Sequence, residues 1–367
     1  MKLAILATHP IQYHSPLFAE LSKACQLKVF YCSNPDQKSQ GDGFGVEFKW
    51  DIPLLEGYEY KFLDDANPRY DCPSISEEIK IGKFDAVINF GWWFKTSKYA
   101  LDYCNENNIP IYVRGDSQLP MNCQVKNFLK KLIYPAFLKK FNGFLSPGKR
   151  FSEYLNYYGI NNDKIFFVPH FVNNEYFKNN SKNNFEGSSK VKTFLYCGKL
   201  ISKKRPLDFL KALQTHDQLK VKGIIVGSGI LEQSLKEYSR INSLNVEFMG
   251  FINQKEIPKI YSKADCLILP SNGKETWGLV INESFACGTP AIVSNKCGCT
   301  TDLIEEGKTG YSYQVSNIKE LSSKMKLIIK NPKSKYQPFI KKKLETYCIK
   351  TASNNIISSI EHILKNK

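Results

Sequence analysis

No apolar run in this 367-residue chain approaches the length of a membrane span, so no transmembrane helix is expected. No Cys-x-x-Cys pair occurs, although there are 11 cysteines, an odd number, with Cys197, Cys266 and Cys287 in apolar strands or helices. That usage suits a reducing compartment and provides no disulfide framework. Cys297 and Cys299 flank one glycine without a second pair of ligands, which argues against zinc. No Asp-x-Asp occurs anywhere, consistent with a site that needs no metal. Recognised nucleic-acid motifs and aromatic stacking signatures are absent as well, so nucleic acid is not an expected partner. Residues 1–8 are too short for a signal peptide and read better as a first strand. A cytoplasmic protein is expected.

What is present is an ordinary globular composition, 42% hydrophobic and 23% charged, at a length that predicts about two domains. The net charge of +16 is unevenly spread. Residues 1–173 hold 20 Lys/Arg and 18 Asp/Glu, net +2, whereas the remainder holds 31 and 17, net +14. The second half therefore meets anions.

Residues 2–7 form a predicted strand, with His9, Gln12 and His14 in the loop beyond it and Ser15-Pro16 as a capped helix start. In an open α/β sheet such a loop faces the ligand crevice. Further strands are predicted at 27–31, 86–89, 109–113 and 165–168. Residues 33–56 read as a long mobile loop, and Ser74 with Glu77 as a capping box. Trp92 and Trp93 end a strand, placed either to stack on a sugar or to hold the next helix. Residues 117–151 contain no acid but carry Lys126, Lys130, Lys131, Lys139, Lys140, Lys149 and Arg150, with apolar residues at helical spacing. They suit either an anionic surface or a core-facing helix with solvated lysines. A second acid-free lysine cluster spans Lys324 to Lys343. Residues 173–189, rich in Asn, Lys and Ser, read as a linker. Predicted strands follow at 193–196, 223–226, 246–249, 266–269, 291–293 and 310–311, and a terminal helix at 351–364.

Residues 264–290 organise the second half. They read as a strand ended by Pro270-Ser271, a loop bearing Glu275, and a helix from near Gly278 that carries Glu283 and closes at Gly288 and Pro290. Free amides at a helix start between two carboxylates suit a ligand with both a diphosphate and hydroxyls, such as a nucleotide-sugar.

Glu275 and Glu283, with Gly278-Leu279 between them and Phe285-Ala286-Cys287-Gly288-Thr289-Pro290 after, resemble the paired-glutamate signature of retaining glycosyltransferases of family 4. The loop Gly198-Lys199-Leu200 with Lys204 resembles that family's diphosphate loop, Lys199 standing where an arginine is usual. Lysine offers a point charge rather than a bidentate fork. The resemblance implies an α/β GT-B fold of two Rossmann-like domains facing a central cleft. Expected boundaries are 1–173 for an acceptor-side domain, 174–345 for a nucleotide-sugar domain, and 346–367 for a helix packing back on the first. It implies Glu275 on the donor sugar, Glu283 on the ribose, and Lys199 and Lys204 on the diphosphate. Gly278, Leu279, Val280, Gly198, Gly227 and Phe251 would complete the donor site. Asp116 or Arg114 stands where the family often has a histidine. His9, Gln12 and His14 would meet donor phosphate or acceptor, in a loop lacking the family's usual glycines. The implied activity is metal-free, cofactor-free sugar transfer from a nucleotide-diphosphate donor, most often a UDP-sugar, to a saccharide or lipid-linked acceptor. Family habit places such work in surface-polysaccharide synthesis, on the inner face of the membrane. A nucleotide-sugar epimerase on the same fold and a non-catalytic binding protein are the alternatives. Product formed without an acceptor would mark the first, and absence of donor turnover the second.

Overall fold

The structure, a computed structural model, describes residues 1–41, 43, 45–63, 70–119, 124–181 and 191–365, with backbone alone over 124–130. The chain divides into two compact units. Met1–Pro35, Pro53–Phe171 and Cys348–Lys367 make the first, and Asp36–Ile52 with Val172–Tyr347 the second. Each is an α/β layer structure on a parallel sheet.

In the first unit the strands are β1 (Lys2–Ala7), β2 (Gln26–Tyr31), β3 (Glu59–Phe62), β4 (Ala86–Phe90), β5 (Ile111–Arg114), β6 (Gly143–Ser146) and β7 (Ile165–Phe167). Their order among the described residues is β3-β2-β1-β4-β5-β6-β7. The second unit holds β8 (Lys192–Cys197), β9 (Val221–Val226), β10 (Val246–Gly250), β11 (Cys266–Leu269), β12 (Ala291–Ser294) and β13 (Gly310–Tyr313), ordered β10-β9-β8-β11-β12-β13. Helices cover both faces of the sheets, so central strands such as β1, β11 and β12 are continuous apolar runs rather than alternating ones. In each sheet the order reverses once, between β1 and β4 and between β8 and β11. Loops leaving the carboxyl ends of strands at such a reversal flank a crevice.

The last helix, Ile349–Lys365, belongs to the first unit. Its Ala352, Ile356 and Ile360 are fully buried in one of that unit's two cores, and Asn355 Nδ2 donates to Phe167 O at 2.8 Å. Each buried isoleucine contributes about 1.5–3 kcal/mol of transfer free energy.

Several local expectations are corrected. Strands β3 and β6 were not anticipated: β3 (EYKF) is a half-exposed edge, and β6 opens on a glycine. Gly143 is required there, because a Cβ would stand 2.7 Å from the Tyr112 ring. His14, not Ser15, is the N-cap of the helix Ser15–Leu21, and the Ser15 hydroxyl donates back to Ile11 O instead. Ser74 occupies an N-cap but makes no side-chain capping bond, so no capping box forms. Residues 174–180 of the expected linker are a helix, capped by Asn173; residues 182–189 lie outside the described part. The loop expected to be mobile carries a short helix, Gln37–Gln40, and residues 36–52 group with the second unit. Three lysines of the second cluster are engaged within the unit. Lys324 pairs with Glu306 and Lys343 with Glu305, while Lys333 Nζ donates to the carbonyls of Ser262 and Ala264. Burial holds the Lys333 ammonium down at about 8.

Candidate active site

In the second unit, the loops after β8 and β11 meet at the strand-order reversal. The chain leaves β8 through Gly198, makes a 3-10 turn at Ser202–Lys204, and enters the helix Pro206–Gln214 through Arg205. Arg205 has φ +52 and forks onto Asp208, at 2.6 and 3.1 Å, which fixes the end of this loop. Across from it, Asn272 N donates to Lys203 O at 2.9 Å, and the Lys204 ammonium contacts the Glu275 carboxylate. Both side chains are largely shielded, 17% and 14% exposed. Two residues predicted separately, 71 positions apart, thus form one ion pair.

The Glu275 loop is held from behind. Gly298 N donates to Glu275 O at 3.0 Å and Cys299 N to Trp277 O at 3.1 Å. A Cβ on Gly298 would fall 1.6 Å from Thr276 O, so only glycine permits this approach. Trp277 Nε1 donates to Asn282 Oδ1 at 2.9 Å, both buried, and ties the loop to the helix Val280–Ala286. That helix begins two residues later than Gly278. Gly278 (φ +104) and Leu279 form its approach, and Glu283 lies in its first turn.

Glu283 is buried, 3% exposed, and accepts from Tyr261 Oη at 2.6 Å. Beside them, burial and then the Glu283 charge push the Cys197 thiol up to about 12, so it is no thiolate nucleophile at neutral pH. The neighbouring loops are equally close: a Cβ on Gly227 would stand 2.1 Å from Gly198 O, and Gly227 N donates to Gly250 O at 2.7 Å. Gly198, Gly227 and the turn bearing Phe251 are therefore contiguous. Tyr261 and Asn282 were not anticipated; Tyr261 acts through Glu283, 22 positions away, which no local spacing reveals.

The first unit gathers a different set at its own strand-order reversal. Arg114 ends β5 buried, donating to Val168 O at 2.9 Å and Pro169 O at 3.0 Å, with His170 Nδ1 at 3.3 Å. His170 Nε2 lies 3.7 Å from Asp116 Oδ2. His14 sits edge-on to Phe90 at 4.7 Å, and burial, then the Arg114 charge, holds its pKa well below the ordinary value. Burial also lowers His9 and His170, Asp116 opposing it at His170. Gln12 is half-buried in the same loop. His170 was not anticipated, because its partners Arg114 and Asp116 lie 56 and 54 positions away and no local pattern marks it. Trp92 stacks on Phe151 and Tyr154, so it serves packing, whereas Trp93 is 68% exposed.

Residues 177–346 match the family described as Glycosyl transferases group 1. Spore coat protein SA of Bacillus subtilis is 24% identical over 350 residues, 85% of each chain. A GDP-mannose-dependent alpha-(1-6)-phosphatidylinositol dimannoside mannosyltransferase of Mycobacterium tuberculosis is 34% identical over 110 residues, covering 29% of this chain and 28% of its own. Among solved structures, a glycosyltransferase from Rickettsia africae superimposes with TM-score 0.76 at 17% identity, covering 100% and 99% of the two chains. Anabaena HepE, in complex with UDP and glucose, gives 0.72 at 14%, covering 98% and 99%. The fold is that of the GT-B glycosyltransferases, and the matches support a glycosyltransferase rather than an epimerase.

Proposed function

We propose that this chain is a retaining glycosyltransferase that moves a sugar from a nucleotide-diphosphate donor to a saccharide or lipid-linked acceptor. The observation that carries the reading is the ion pair of Lys204 with Glu275 at the strand-order reversal of the second unit. In the pair each group neutralises the other. A donor diphosphate offers Lys204 a stronger anionic partner, and Lys199 adds a second cation to the leaving group. Glu275, released from Lys204, accepts from donor-sugar hydroxyls and stabilises charge on the ring as the glycosidic bond breaks. Glu283, fixed by Tyr261, holds the ribose. Backbone groups at Gly278, Leu279 and Val280 complete the anion site. The acceptor attacks from the face the phosphate leaves, and the departing phosphate oxygen takes the acceptor's proton, so no enzyme nucleophile is required. Asp116 with His9, Gln12 and His14 is assigned to the acceptor side. With two lysines on the diphosphate, no metal or other cofactor is needed.

The donor is taken as a UDP-sugar first. One relative is named for GDP-mannose and one neighbour for UDP, so both bases belong in the test. Exposed Leu132 and Ile133 beside Lys131 favour docking on the anionic inner face of a membrane, where polysaccharide and glycolipid acceptors are built. Lys126 and Lys130 fall where the side chains are outside the described part. The experiment is a panel of nucleotide-sugars scored for thermal stabilisation and slow donor hydrolysis. One donor should raise the Tm and release its nucleoside diphosphate. Stabilisation by none would defeat the reading.

A further inference from the structure

Residues 36–52 leave the first unit's sequence between β2 and β3 yet fold as part of the second unit. Asp36 caps the helix Gln37–Gln40 by accepting from Ser39 N at 2.8 Å, and Phe48 N donates back to Gln37 O at 3.3 Å, so the segment has its own internal shape. Phe48 is 8% exposed despite lying in a polar stretch. Its ring lies 4.3 Å from that of Phe251, at 31°, and Trp50 meets it edge-on at 4.9 Å. Two polar bonds fasten the same end: Asn253 Nδ2 donates to Lys49 O at 2.7 Å, and Lys255 N to Asp51 Oδ2 at 3.2 Å. At the other end Gly43 has φ +77, and a Cβ there would stand 2.9 Å from Lys199 Nζ.

One segment thus touches the turn at the carboxyl end of β10 and the lysine after β8. The resemblance to family 4 implies that the turn with Phe251 faces the donor's base, and the reading above puts Lys199 on its diphosphate, so these meet opposite ends of the donor. We propose that residues 36–52 are a positioning element of the donor site. Phe48 sets the Phe251 turn against the nucleobase, and the missing side chain at Gly43 lets the Lys199 ammonium reach the diphosphate. The inference rests on the glycosyltransferase reading but goes beyond it, because it assigns donor recognition to a part of the sequence outside residues 177–346.

The test uses the full chain and titrates UDP, GDP and ADP, then the nucleoside of whichever binds best. Phe48→Ala should weaken nucleoside and diphosphate alike by ~10-fold, the scale of one lost aromatic contact with its burial. Phe48→Tyr should restore binding. Gly43→Ala should weaken the diphosphate by ~5-fold or more and leave the nucleoside unchanged, since only the lysine is displaced. Should Phe48→Ala not fold, Phe48→Leu keeps the apolar burial without the ring and should show the same base-side loss. Unchanged affinities in folded variants, with wild type binding normally, would overturn the inference alone. Equal losses for both probes in both variants would mark the segment as structural only and overturn it too. If the wild type binds none of the diphosphates, the glycosyltransferase reading falls first and this one with it.

Discussion

Replacing Glu275 by Ala tests the site most directly. In the wild type, a carboxylate and an ammonium in contact, each less than a fifth exposed, attract by on the order of 4 kcal/mol at an effective dielectric of about 20, before desolvation is subtracted. Removing one partner of a fully buried pair costs about 3–5 kcal/mol, an upper bound here because Lys204 can turn its ammonium to water. Fold stability should therefore drop by about 1–2 kcal/mol and the Tm by a few degrees. Turnover should suffer more. If Glu275 meets sugar hydroxyls in the transition state, its loss costs about 10²-fold in kcat, or roughly 2.7 kcal/mol. Lys204→Ala should cost a similar factor. The two losses should largely multiply, because the donor separates the pair and each group then serves its own part of the transition state. The double variant should lose more than either single one, toward the ~10⁴ of independent sites. The assay is nucleoside diphosphate release from the stabilising donor, with circular dichroism to check folding. Near-normal turnover in folded Glu275→Ala, or a double variant no worse than either single one, would refute these separate roles.

Other expectations follow from neighbouring contacts. Saturating EDTA should leave donor turnover largely intact, and magnesium should not rescue Lys204→Ala; strict magnesium dependence would remove the two-lysine phosphate site. Tyr261→Phe deletes the 2.6 Å bond to Glu283 and should weaken nucleotide binding by ~10-fold with kcat little changed, a split read by steady-state kinetics. His9, His14 and His170 are all held below 6.5 in the folded state, so the unfolded chain takes up protons first. Their contribution is complete above pH 6.5 and shrinks as pH falls below it, by at most about 1.4 kcal/mol per pH unit for each group. Tm measured from pH 7.5 to 5.5 should decline, and His14→Gln should flatten that decline; an unchanged slope would contradict burial of a neutral His14. Sedimentation with anionic vesicles at low salt, released at high salt, should be reduced by changing Leu132 and Ile133 to Asp; equal partition to neutral vesicles would exclude an electrostatic membrane contact.

What the sequence disclosed, and what it hid, follows from the range of the interactions involved. The strands of the second unit were legible because β8, β9, β11 and β12 carry buried apolar cores closed by glycine, proline or a polar turn, while β10 and β13, with polar residues of their own, are marked by their glycines. In the first unit, β3 failed that test since an edge strand has no need of apolar residues on both faces, and β6 failed it because Gly143 answers to Tyr112 rather than to its own neighbours. The catalytic candidates were found by type and spacing within one loop or helix. Their supporting groups were not: Tyr261 reaches Glu283 across 22 positions, and His170 reaches Arg114 across 56. The segment 36–52 is the extreme case. Read locally, its glycines and polar residues signal a mobile loop, and the aromatic neighbour of Phe48, Trp50, does not account for its burial. Its burial depends on Phe251, on the far side of five intervening strands in the chain's first unit, so local periodicity carries no trace of it. A donor-site residue that works by holding another in place leaves its mark only in three dimensions. Substitutions at Phe48 should therefore disturb nucleotide binding even though the sequence around it resembles no binding motif.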